Sequence, residues 1–333
     1  MPANKPLTVE VSRGDMVESR HLGAALVVDG RGRTVRAWGD TGRLIYPRSS
    51  IKPLQALALI ETGAADGFAV SETELALASA SHGGTPEHTG PVLAWLERLG
   101  LGEADLECGG HPPMDEKAAK ALVRAGKAAG PVCNNCSGKH AGFLTTAKHL
   151  KEPTQGYSKI GHPVQARLRR ILAELGDADP AKAPTGIDGC GIPVYGMPLS
   201  GLARALARMA AGDGLDADRR RAARRIVAAM TAHPRLVAGP DRFDTLAMQA
   251  AGGAFVVKGG AEGVHAAIIP KLGFGVALKI DDGAKRAAEV AMAAILAHLG
   301  VLPEAAAGLS AAPVFNAAGA RVGVVRMEEG WNA

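Results

Sequence analysis

Arg43-Leu-Ile-Tyr-Pro-Arg-Ser49-Ser50-Ile-Lys52-Pro-Leu-Gln-Ala-Leu-Ala-Leu-Ile60 is the stretch at which the chain changes from strands to helices. Ahead of it, Leu7-Thr-Val-Glu-Val11 alternates, and Ala24–Asp29 leads through Gly30 into Thr34–Trp38, which reads as three strands. Within it, Ser49 is placed to cap a helix, and Pro53 fits only the first turn of one. Leu54, Leu57 and Ala58 then give a helix that is apolar on most sides and therefore buried.

Helical patterning continues beyond. Ser71-x-x-Glu74 forms a capping box for a helix that runs towards Ala80, where Ser81-His82-Gly83-Gly84 breaks it. Thr85-Pro86 starts another, ending near Gly100. Further helices are expected at roughly 115–125, 137–150, 162–175, 199–211, 217–232 and 284–299. Strands return at Ala254–Val257, Val264–Ile269 and Gly275–Ile280. Strands from both ends with helices between them predict an α/β (α+β) fold, an antiparallel sheet covered by helices. A single domain over 1–333 is expected, with a helical subdomain at about 50–240 inserted between the terminal strands.

Composition narrows the function. Of 333 residues, 47% are hydrophobic and 21% charged, ordinary globular usage that excludes a disordered chain. The net charge is only +5. Its densest run, Arg219-Arg220-Arg221 with Arg224 and Arg225, alternates with Ala222, Ile226 and Met230 at helical spacing, so it reads as a solvated helix face. Three Trp, three Tyr and six Phe leave little for nucleic-acid stacking. The opening residues lack the apolar run of a signal peptide, and no uninterrupted stretch of about 18 apolar residues is present. Four cysteines do not make a disulfide framework in a chain of this size, so a reducing, cytoplasmic location is expected.

Five segments carry chemistry. In Ser49-Ser50-Ile51-Lys52, residues three apart at a helix start share a face, so the Lys52 amine can approach the Ser49 hydroxyl. Serine needs such a base, and lysine serves only when burial or a nearby cation such as Arg48 lowers its pKa. A capping serine followed by a surface lysine has the same spacing. Ser81-His82-Gly83-Gly84 offers a second hydroxyl and a backbone open to close approach; its plain alternative is a helix cap and turn. Cys133-Asn-Asn-Cys136-Ser-Gly-Lys139-His140, taken with Cys190, offers zinc soft and borderline ligands, and Cys133, Cys136, His140 and Cys190 form the set that chemistry alone favours. Small buried thiols are the alternative. Lys258-Gly-Gly-Ala-Glu-Gly263 leaves a strand into glycines, either a polar hairpin or a lysine aimed into a cleft. Asp188, between Gly186 and Gly189, suits a turn or an exposed ligand-binding carboxylate.

Together these segments resemble the rhizobial-type (class 3) L-asparaginases of the asparaginase II family. The matching stretches are Tyr46-Pro-Arg48-Ser49-Ser50-x-Lys52-Pro, Ser79-Ala-Ser81-His82-Gly83, Asn135-Cys136-Ser137-Gly138-Lys139-His140-Ala-Gly142, Asp188-Gly-Cys190-Gly-x-Pro193 and Lys258-x-Gly260-Ala-Glu262-Gly263. They occur in the family's order and span about residues 7–326. The resemblance implies a fold like that of serine β-lactamases and glutaminases, a homodimer, and hydrolysis of L-asparagine to aspartate and ammonia. It also implies two Ser–Lys pairs, Ser49 with Lys52 and Ser81 with Lys258. Ser49 is taken as nucleophile, and the second pair as a proton relay. A zinc site of Cys136, Lys139 and Cys190 is implied, which replaces the chemical guess and returns His140 and Cys133 to structural roles. The zinc would tune affinity rather than catalyse directly. Arg48, His82 and Asp188 become candidates for substrate binding, with Asp188 facing an α-ammonium and Arg48 an α-carboxylate. The rivals are a penicillin-recognising acylase or β-lactamase, which shares Ser-x-x-Lys and a Lys-Gly element, and a non-enzymatic zinc-binding protein of the same fold.

Overall fold

The computed structural model describes residues 5–177, 179 and 182–332. The chain divides into two compact units, one made of Met1–Ser50, Met197–Gly214 and Leu246–Ala333, the other of Ile51–Gly196 and Leu215–Thr245.

The first unit is built on an eight-stranded sheet: β1 (Leu7–Arg13), β2 (Met16–Asp29), β3 (Thr34–Trp38), β4 (Val256–Gly259), β5 (Val264–Ile269), β6 (Phe274–Ile280), β7 (Ala311–Phe315) and β8 (Arg321–Met327). All pairs are antiparallel, in the order β7-β8-β1-β2-β6-β5-β4, with β3 also paired to β2. β2 is long enough to serve two neighbours in turn. Its first half pairs with β1 (Val9 opposite His21) and its second with β6 (Val276 opposite Val27). The helices Leu199–Ala211 and Lys285–His298 pack on this sheet. A methyl group at Gly275 would run into the backbone of Ala203 and Ala207, so the glycine is what lets the first of these helices lie flush on β6.

The antiparallel sheet with covering helices is the architecture expected. β7 and β8 lie outside the strands expected from the sequence. Pro313 and the alternately exposed residues of β7 gave no buried-strand pattern, which is what an edge strand looks like. β2 starts eight residues before the expected Ala24; Met16–Leu22 lies partly exposed and shows no apolar run.

The second unit is mainly helical. Its centre is the helix Lys52–Glu61, which packs against Ser137–His149, Pro163–Gly176 and Ala217–Ala232. Every residue from Lys52 to Leu59 is buried, the expected outcome for a helix apolar all round. The helix does not begin as expected. Ser49 is not its cap; a 3-10 turn over Arg48–Ile51 leads into it, Ile51 is the capping position, and Pro53 sits in the first turn. The Ser71–Glu74 capping box is present as read, and the other expected helices appear within a few residues of their anticipated limits. A short hairpin, Thr185–Ile187 with Pro193–Tyr195, presents the Asp188–Ile192 turn. Among the described residues no helix is long and apolar enough to cross a membrane.

Candidate active site

In the first unit, Ser49 occupies the 3-10 turn that follows Pro47. The two adjacent serines differ. Ser50 is fully buried and its hydroxyl donates to the Pro47 carbonyl at 2.7 Å, whereas Ser49 is half-buried. Arg48 is held at φ 51°, in the left-handed region that a residue with a Cβ seldom adopts. Against this turn lies the hairpin after β4. A Cβ added at Gly260 would stand 3.0 Å from the Pro47 carbonyl oxygen and 3.4 Å from Arg48 Cβ. Lys258, 2% exposed, is the penultimate residue of the strand and donates to the Gly259 carbonyl at 2.7 Å. The hairpin is pinned by Gly260 N–H to the Val264 carbonyl and by Ile280 N–H to the Gly263 carbonyl, and Glu262 is strained at φ 60°.

In the second unit, Lys52 is the first residue of its helix and only 1% exposed. Its Nζ donates to the Ala80 carbonyl and lies 3.0 Å from Ser81 Oγ, a separation at which a proton can pass between them. Burial pulls the Lys52 amine below its usual pKa and nearby Lys139 acts in the same direction, although the thiols of Cys136 and Cys190 oppose them. No spacing rule brings Lys52 to Ser81, because residues 29 apart carry no periodic relation.

Ser81 follows the helix Glu72–Ala78 and its loop is held at successive residues. Ser81 N–H donates to the Val237 carbonyl (2.9 Å) and His82 N–H to the Asn135 carbonyl (3.2 Å), while the Gly83 carbonyl accepts from Asp115 N–H (2.9 Å). His82 is fully buried. Its Nδ1 accepts from Gly84 N–H at 3.2 Å, so its proton resides on Nε2, which donates to Ser137 Oγ at 2.9 Å. A direct contact with substrate would require one of these bonds to open.

Two thiols and an amine also converge in this unit. Lys139 Nζ donates to Cys190 Sγ at 3.0 Å, and Cys136 hydrogen-bonds Cys190. All three are buried. The bond from Cys136 and the Lys139 ammonium draw the Cys190 thiol well below its usual pKa, while the same bond and burial push Cys136 up. Burial disfavours the Lys139 ammonium, but the combined pull of Cys190, Cys136 and Asp188 outweighs it and the net shift is upward. Among the described residues, no group of three His, Cys, Asp or Glu could hold a metal. A zinc here thus depends on Lys139 as third protein donor, and the convergence of its amine with two soft sulfurs fits that set. Asp188 is half-exposed on the adjoining turn and adds to the upward pull on Lys139.

His140 and Cys133 stand apart from this group. The Tyr157 hydroxyl accepts from Glu107 N–H and shares a hydrogen bond with His140 Nδ1, at 2.8 Å each; burial holds the His140 pKa down to about 3. Cys133 lies in a separate 3-10 turn, Pro131–Cys133.

The family described as L-asparaginase II matches residues 9–327. Among solved structures, the chain is similar to a putative β-lactamase from Bacteroides dorei DSM 17855, at 13% identity over 80% of this chain and 86% of that one, with a TM-score of 0.41. It is also similar to a β-lactamase from Mycobacterium bovis (14%, 83% and 94%, TM-score 0.36) and a D-alanine carboxypeptidase from Burkholderia cenocepacia (13%, 79% and 88%, TM-score 0.37). No curated protein sequence matches.

Proposed function

The chain belongs to the L-asparaginase II family and is an amidohydrolase of the asparaginase type; from that premise we propose that it hydrolyses L-asparagine through a serine activated by lysine. The observation that supports lysine as the base is Lys52 itself, a buried amine held below its usual pKa and 3.0 Å from Ser81 Oγ.

Ser49 is the nucleophile in this reading. Its Oγ attacks the side-chain amide carbon, its proton passes to the Lys52 amine, and the resulting oxyanion is held by backbone N–H groups. The carbon–nitrogen bond then breaks, and ammonia departs with a proton returned from the lysine. Water attacks the β-aspartyl ester, which releases aspartate and restores the Ser49 hydroxyl. Ser81 and Lys258 carry protons to and from these groups. Arg48 pairs with the substrate α-carboxylate and Asp188 with its α-ammonium. The Lys52–Ser81 contact favours a second reading, in which Ser81 attacks and Lys52 is its immediate base. Cys136, Lys139 and Cys190 would hold zinc, which when bound supplies a fixed positive charge that tunes substrate affinity. A homodimer, on the strength of the family resemblance, and a cytoplasmic location, on the strength of cysteine usage, complete the proposal.

Ammonia release from asparagine and glutamine, for wild type, Ser49→Ala and Ser81→Ala, tests the proposal. Release from asparagine that is lost in Ser49→Ala supports it; no release from wild type sinks it. Survival of activity in Ser49→Ala with loss in Ser81→Ala moves the attack to Ser81. Chelation is expected to raise KM for asparagine more than it lowers kcat, and metal analysis of Cys190→Ala to find no zinc. A fall in kcat with unchanged KM would instead make the metal catalytic.

A further inference from the structure

Two histidines take no part in the mechanism above, yet the second unit commits both to fixed geometry. His82 and His88 are each 0% exposed, and their rings stack at 5.0 Å between centroids with 12° between planes. His88 repeats the arrangement of its neighbour. Its Nδ1 accepts from Thr85 N–H (3.2 Å) and faces the Thr85 hydroxyl at 2.6 Å, so its Nε2 carries the proton and donates to the Arg235 carbonyl at 2.9 Å. Both imidazoles are therefore neutral, and each has one nitrogen on the loop 81–85 and the other on a separate segment. His82 ties the loop to Ser137, the first residue of the helix Ser137–His149. His88 ties it to Arg235 in the helix Pro234–Val237, whose own Val237 carbonyl accepts from Ser81 N–H. Ser81 is thus bracketed by anchors that the stacked rings connect.

We propose that His82, backed by His88, is a positioning residue that fixes the Ser81 hydroxyl against Lys52, and that neither ring touches substrate. The proposal rests on the reading that Ser81 serves amide hydrolysis. A hydroxyl on a glycine-rich loop would otherwise sample several orientations, and a displacement of about 1 Å in a reacting group can cost on the order of a hundredfold in rate. A polar pair suits this task better than apolar packing, because each ring supplies both an acceptor for its own loop and a donor for a neighbouring segment.

The test uses the full-length enzyme with ammonia release, thermal melting and calorimetric binding of L-aspartate. His82→Phe keeps the ring volume but removes both hydrogen bonds. It is expected to lower kcat by about 10- to 100-fold while the Kd for L-aspartate stays within about twofold of wild type. His82→Asn restores an acceptor for Gly84 N–H, and His82→Gln a donor for Ser137; each is expected to recover part of the loss. His88→Phe, which keeps the stack, is expected to lower kcat by about tenfold with aspartate binding unchanged. If His82→Phe does not fold, His82→Asn, His82→Gln and His88→Phe carry the same comparison. Aspartate binding that weakens in step with kcat makes His82 a substrate contact and overturns the proposal. Variants that keep wild-type kcat overturn it while leaving the asparaginase reading intact, whereas an inactive wild type overturns both.

Discussion

Ser81 stands in a loop whose polar groups are accounted for residue by residue, whereas Ser49 stands in a turn whose backbone is bent out of its ordinary range. Around Ser81, three consecutive residues are tied by backbone hydrogen bonds, and His82 adds two more through its ring. Around Ser49, Arg48 at φ 51° precedes the serine and the Gly260 hairpin, with Glu262 at φ 60°, closes on the turn. Strain of this kind costs about 1–3 kcal/mol per residue and persists where the surroundings over-determine it. The contrast fits two tasks. A relay group profits from a rigid, buried setting that holds one proton path, while an attacking hydroxyl must be presented to a ligand and so cannot be tied down by protein partners.

The largest effect should come from the serines themselves. If Ser49 forms the acyl bond, Ser49→Ala should lower kcat by at least about a thousandfold, because nothing replaces the nucleophile. Ser81→Ala should cost about a hundredfold, the range of a lost proton-transfer group. Single-turnover ammonia release measures both. An inverted order would mean that the tied serine attacks and the strained turn serves another purpose.

Acid sensitivity ranks next and belongs to one side of the comparison. Burial lowers the pKa of His82 and His88, and that of His140 to about 3, against an ordinary value near 6.5. Each folded-state pKa lies below the unfolded one, so the stability from a neutral imidazole is fully present above about pH 6.5 and is lost as pH falls towards the folded value. For a group such as His140 the total is on the order of a few kcal/mol. The melting temperature should fall between about pH 6.5 and 4, and His140→Gln should flatten that fall even though it lowers the melting temperature at pH 8. Equal pH slopes in the two proteins would show that carboxylates, not these histidines, set acid stability.

Periodicity made most of the fold legible, and its failures share a cause. Helices such as Ser137–His149 and Ala217–Ala232 announce themselves through apolar spacing, and the Ser71 box marks a start by side-chain chemistry. The edge strand Ala311–Phe315 hides because exposure removes the alternation that reveals a strand. At the candidate site, the convergence of Cys136, Lys139 and Cys190 followed from family resemblance, since no spacing rule joins residues 136 and 190. The Lys52–Ser81 contact and the His82–His88 stack were invisible for the same reason. His88 lies in the first turn of the helix Pro86–Arg98, and only the fold turns its ring onto His82.

The smallest effect tests whether the strained side of the comparison works by position alone. Gly260 has its φ outside the left-handed region, so alanine there meets no backbone objection of its own. The obstacle is contact, 3.0 Å from the Pro47 carbonyl oxygen and 3.3 Å from Ser50 N, and neither atom belongs to a flexible side chain. The turn carrying Ser49 must therefore give by a few tenths of an ångström. Replacing glycine also restricts the unfolded chain, worth about 0.4–1 kcal/mol in the opposite direction, which offsets much of the packing cost. Gly260→Ala should thus melt within a few degrees of wild type yet lose several-fold in kcat. Gly263→Ala is the contrast, because Gly263 has φ 67° and an added Cβ would stand 3.0 Å from Ile280 Cβ. It should lose stability first, with activity falling only as the fold does. If Gly260→Ala instead loses stability and activity in proportion, the hairpin supports the unit as a whole, and the closeness of Gly260 to the turn that carries Ser49 has no separate catalytic meaning.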